Sequence, residues 1–99
     1  MGELTGKQRR HLRALGHHLS PILQIGHEGL TDSVVAQANA QLAAHELIKV
    51  KVSEGSPLPR HEAAEQLASA TSSELAQVLG RTFLLYRPRD KDPAILLPQ

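Results

Sequence analysis

The run Leu47-Ile-Lys-Val-Lys-Val52 constrains this chain more than any other stretch. Ile48, Val50 and Val52 alternate with Lys49 and Lys51, a period of two that only an extended strand turns into one apolar and one charged face. Such a strand is not stable alone. It needs neighbouring strands and a layer over its apolar face, so the flanking segments must supply both.

Those segments read as helices and strands in alternation. Thr5-Gly-Lys-Gln8 has the form of a capping box and starts a first helix, with Leu12, Leu15 and Leu19 along one side, Lys7, Arg10 and Arg13 roughly opposite, and Gly16 as the stop. Pro21 precedes Ile22-Leu-Gln-Ile25, an apolar run too brief for a helix and hence a strand. Thr31 is the N-cap of a second helix, with Leu30 and Val35 as a hydrophobic staple and a stripe of Val34, Val35, Ala38 and Leu42 running to about Ala44. The lysine-bearing strand spans His45 to Val52. Pro59 suits the first turn of a third helix, which turns Ala63, Ala64, Leu67 and Ala68 inward and Glu62 and Glu65 outward. Gly80-Arg81 joins Leu75–Leu79 to Thr82–Arg87 as a type II′ hairpin. Beyond Pro88, Ile95-Leu-Leu97 either docks on the sheet or frays. The expected architecture is a single α/β domain over residues 1–99, a two-layer sandwich of three helices and a mixed four-stranded sheet in the order α-β-α-β-α-β-β.

Composition narrows the function classes. Phe83 and Tyr86 are the only aromatic residues among 99, so the core is aliphatic and there is no surface on which to stack nucleobases. Nucleic-acid binding would have to rest on charge and backbone. Without cysteine there are no disulfides and no thiolate chemistry. No signal peptide or membrane span is readable, so a cytoplasmic protein without a membrane partner is expected. The six histidines lack ligand spacing, and Ser33, Asp32 and His27 crowd one turn without a nucleophile elbow. The chain is therefore expected to be non-catalytic, with no cofactor, metal or small-molecule substrate. Its net charge of +1 hides an asymmetry: Lys7, Arg9, Arg10 and Arg13 near one end, Arg81, Arg87, Arg89 and Lys91 near the other, and Glu54, Glu62, Glu65 and Glu74 between them.

Gly26-His-Glu-Gly29 joins the first strand to the second helix. It reads in two ways: a plain connector in which Gly29 takes a positive φ, or a phosphate site where free amides and the helix dipole meet an anion. Glu28 opposes an anion there, whereas a protonated His27 would attract one.

Five stretches taken together decide the matter: Leu4-Thr-Gly-Lys-Gln-Arg-Arg-His-Leu-Arg-Ala-Leu15; Pro21 with Ile25-Gly-His-Glu-Gly-Leu-Thr31; His45-Glu-Leu-Ile-Lys-Val-Lys51; Val78-Leu-Gly-Arg81; and Leu85-Tyr-Arg-Pro88. In this order and spacing they resemble the stand-alone bacterial CRM-domain proteins, the YhbY family. The resemblance implies a fold similar to the C-terminal domain of translation initiation factor three. It also implies RNA binding, with ribosomal RNA in precursors of the large ribosomal subunit as partner. The family's loop, likened to the Gly-x-x-Gly clamp of KH domains, falls on Gly26, His27, Glu28 and Gly29, although His27 stands where a Lys is common. The expected RNA-binding set is this loop with Thr31, then Lys7, Arg10, Arg13, Lys49, Lys51, Arg81 and Arg87. The alternative is a protein-interaction module that joins assembling ribosomes through a ribosomal protein or assembly factor.

Overall fold

A computed structural model describes residues 3–99, and its elements follow the expected order. They are α1 (Gly6–Gly16), β1 (Leu23–Ile25), α2 (Asp32–His45), β2 (Leu47–Val52), α3 (Arg60–Ala70), β3 (Glu74–Leu79) and β4 (Thr82–Tyr86). The local signals act as read. Thr5 Oγ1 accepts from the Gln8 amide at 3.1 Å while Gln8 Oε1 accepts from the Thr5 amide at 3.0 Å. Thr31 Oγ1 accepts from the Val34 amide at 3.1 Å, and Leu30 and Val35 both pack against the core. Gly80 has φ +59 and Arg81 has no positive φ, as a type II′ turn requires.

The strands lie in the order β1-β2-β4-β3. The β1–β2 pair is parallel, because α2 carries the chain back across the sheet, and the other two pairs are antiparallel. Ile48, Val50 and Val52 face α2 and α3, in a cluster with Ile25, Leu42, Leu67, Phe83 and Leu85. The opposite face packs Leu47, Leu84, Tyr86 and Ala76 against Leu12 of α1, with Leu4, Ile95 and Leu97 at its margin. Alternation along β2 therefore sends Lys49 and Lys51 to the α1 side.

Four expectations change in detail. Gly16 does end α1, but not as a left-handed cap. It is buried against Leu84, where an added Cβ would sit 2.7 Å from Cδ2 and 3.1 Å from Cγ. Leu12 is fully buried, whereas Leu15, in the last turn of α1, and Leu19, beyond its end, stay 39% and 37% exposed. Pro59 is the N-cap of α3 rather than a first-turn residue. Glu46 is not part of a strand but follows α2 with φ +65, a left-handed conformation costing on the order of 1–3 kcal/mol.

Glu46 is fully buried and offsets that strain by fastening the C-terminal tail. Its carboxylate accepts from the amides of Arg89, Ala94 and Ile95 at 2.8, 2.7 and 2.9 Å. Burial alone raises its pKa, but the amides of Arg89, Ile95 and Ala94, helped by the Arg89 charge, outweigh burial and hold it below the ordinary value. Burial, and then the nearby Glu46 charge, push the Tyr86 phenol up. At the end of the tail, Gln8 Nε2 donates to Pro98 O at 3.2 Å.

Candidate nucleic-acid interface

The C-terminal ends of β1 and β2, the loop to α3 and the β3–β4 turn lie at one end of the sheet. The glycine loop sits there, between Ile25 and the N-terminus of α2. Gly29 N donates to Gly26 O at 3.0 Å, closing the turn around exposed His27 and Glu28. The two glycines differ in kind. Gly29 has φ +72, and a Cβ would meet Pro57 Cγ at 3.3 Å, so the fold itself demands glycine. Gly26 has no positive φ, and a Cβ there would meet nothing within 4 Å. Nothing in the fold asks for glycine at Gly26. What its missing side chain leaves is open space in front of the backbone.

The helix start adds donors. Thr31 occupies the amides of Val34 and Val35 through its hydroxyl and its carbonyl. The first-turn amides of Asp32 and Ser33 have no acceptor within the helix. With Gly26, Thr31 and Val34 the loop borders a shallow depression of about 190 Å³. Its own charged groups are acidic, namely Glu28 and Asp32, so cations must come from elsewhere.

Lys51 is the best placed of the expected cations. It pairs in register with Gln24, one step before the Ile25–Val52 pair at which the loop begins. Both side chains are exposed and project to the α1 side. Lys49 follows on the same face, half-buried. On α1, Lys7, Arg10 and Arg13 are exposed, although Lys7 Nζ also lies 3.4 Å from Gln99 O. The loop and α1 lie toward opposite faces of the sheet, so the expected residues do not form one patch. From the loop, the edge strand β1 is flanked by Lys51 of β2 beside Gln24, and Lys49 and the α1 cations follow on the α1 side of the sheet, a spaced track of charge.

Two expected residues are otherwise engaged. Arg81 pairs with Glu54 at 3.3 Å, both largely exposed, a weak tie that an anion can replace. Arg87 is half-buried and its guanidinium is spent on internal bonds. Its guanidinium donates to Asn39 Oδ1 at 2.8 Å, Asn39 O at 3.1 Å and Thr71 O at 2.7 Å, clamping α2 to the end of α3. Arg9 Nη1 similarly donates to Leu75 O. Gln24, beside Lys51, was not expected at the interface. The alternation Leu23-Gln24-Ile25 carries the signal, but three residues are too few for a period to stand out. Among the described residues, no helix is long and apolar enough to cross a membrane, and no three His, Asp or Glu side chains gather as metal ligands.

The fold and the loop define a class: a small α/β domain with a glycine-flanked turn at a helix N-terminus beside a cationic sheet edge. The chain belongs to the CRS1/YhbY (CRM) domain family, whose model matches residues 4–87. It is 41% identical over 95 residues to Probable RNA-binding protein YqeI of Bacillus subtilis, covering 96% of this chain and 99% of that one. It is 35% identical over 99 residues to a Haemophilus influenzae protein named RNA-binding protein, covering 100% and 99%. The solution structure of SAV1595 from Staphylococcus aureus superposes with a TM-score of 0.82 at 43% identity, covering 97% of this chain and all of that one.

Proposed function

We propose that this chain is a non-catalytic RNA-binding protein that grips a phosphate backbone at the glycine loop and along the track from Lys51 to α1. Its target is ribosomal RNA in precursors of the large ribosomal subunit in the cytoplasm, where it assists assembly. The observation that carries this reading is Gly26, a glycine the fold does not use, set in open space beside the first amides of α2. The names of the relatives point the same way. With both aromatic residues buried, contacts to phosphate and sugar dominate over base stacking.

Affinity for a precursor ribosomal RNA fragment, followed by fluorescence anisotropy, is expected to fall steeply with salt, with a slope reflecting several released counterions. Gly26→Asp fills the open space with a like charge while leaving the fold intact, and is expected to weaken binding roughly tenfold. Unchanged affinity in that folded variant would remove the loop from the interface. In-cell crosslinking with sequencing of the bound RNA tests the target. Association with the large-subunit precursor that survives ribonuclease would favour a protein partner instead.

A further inference from the structure

Of the five large apolar side chains left exposed among the described residues, three lie together: Leu15, Leu19 and Ile22, at 39, 37 and 46%. They line a groove of about 400 Å³ where α1 ends and β2 begins, over buried Leu47 and against Ile95 of the tail. The reason is visible in α1. α1 ends at Gly16, packed on Leu84, and a turn from Leu19 N to Gly16 O at 3.0 Å leaves Leu19 lining the same groove as Leu15. The apolar stripe that began at Leu12 is longer than the fold can bury. A contiguous apolar surface of this kind marks a place for a partner.

The chemistry of the rim selects that partner. The charged or titratable residues lining the groove are Lys49 and His45, and no acidic residue lines it. Among the described residues Lys49 makes no ion pair, and the nearby Glu46 carboxylate is spent on tail amides. The walls are aliphatic, with no aromatic surface for a base to stack on. We propose that this groove binds an acidic amphipathic segment of a partner protein, whose apolar side chains enter between Leu15, Leu19 and Ile22 and whose carboxylates meet Lys49 and His45. The groove shares Lys49 with the path proposed for RNA but not Leu15, Leu19 or Ile22, so variants at those three separate the two readings.

The test uses the full chain and two synthetic four-turn amphipathic helices with the same leucine stripe, one bearing Glu and the other Lys on its polar face. In backbone amide NMR titrations the Glu peptide is expected to shift Leu15, Leu19, Ile22 and Lys49 and to spare Gly26 and Gly29. Leu19→Ser is expected to weaken it roughly tenfold without changing RNA affinity or the melting temperature. Lys49→Glu is expected to reverse the preference between the peptides. Equal binding of both peptides, or shifts confined to other surfaces, overturns the proposal. So does a ribosomal RNA fragment that shifts these residues and loses affinity in Leu19→Ser, which would assign the groove to RNA. A concentration-dependent dimer abolished by Leu19→Ser, read by analytical ultracentrifugation, overturns it in favour of a second copy.

Discussion

Where β2 begins and β4 ends, Glu46 gives its carboxylate to three tail amides and Arg87 gives its guanidinium to Asn39 and Thr71. Where β1 and β2 end, His27, Glu28 and Lys51 are exposed and enter no side-chain hydrogen bond among the described residues. The first end uses charge to hold the molecule together, and the second leaves it available. Formal charge therefore does not single out candidate interface residues on this chain; the absence of an internal partner among the described residues separates them from cations the fold already uses. Arg87 and Lys51 are both cations beside the sheet, yet the structure gives them opposite uses.

Glu46→Ala leaves three amides without their acceptor and frees the tail, and is expected to cost about 3 kcal/mol in urea denaturation. RNA affinity of the remaining folded protein should stay within about twofold if the glycine loop and Lys51, at the other end of the sheet, carry most of the contact. A large loss of affinity in that variant would show that the two ends are coupled. Acid does the same more gently. The folded-state pKa of Glu46 lies below its ordinary value, so its stabilisation is fully present above about pH 4.3 and is lost as pH falls through the lower folded value. The amides of Ala94 and Ile95 are expected to lose hydrogen-exchange protection in that acid window, before those of β2.

At the open end the two glycines of the loop differ in what they cost to replace. Gly29→Ala places a side chain at φ +72 against Pro57 and is expected to cost on the order of 1–2 kcal/mol. Gly26→Ala is expected to leave stability unchanged or raise it by about 0.5 kcal/mol, since the unfolded chain loses freedom and the folded one meets no obstacle. If thermal melts show equal costs, the distinction between the glycine the fold requires and the one it does not is wrong.

Period and caps carried most of the fold, because they act locally. Thr5 with Gln8, Thr31, and the alternation of Ile48, Val50 and Val52 each specify their element from within a few residues. The site was legible only as residue types. The glycine spacing and the positive φ of Gly29 are legible in the chain, but the contact with Pro57, 28 residues away, and the open space at Gly26 are not. Arg87 reads as a surface cation until Asn39 and Thr71 are brought beside it by the packing of α2 and α3 on the sheet. Glu46 reads as a polar strand position until the tail, more than 40 residues later, returns its amides to it. Each misreading concerns a partner remote in sequence, which no local pattern encodes.

The smallest expected effects separate used from available cations directly. Lys51→Ala and Arg10→Ala each remove an exposed charge that makes no internal bond among the described residues, so stability should stay within about 0.5 kcal/mol. Each should lower the slope of log affinity against log salt by about one, the signature of a single lost phosphate contact. Arg87→Ala should do the reverse, destabilising by about 2 kcal/mol through the orphaned Thr71 and Asn39 carbonyls while leaving the salt slope intact. Measured together, the three variants test the track itself. A lowered slope for Arg10 but not for Lys51 would mean that RNA reaches α1 without passing Lys51, and the path from the glycine loop would have to run around the hairpin past Arg81 instead.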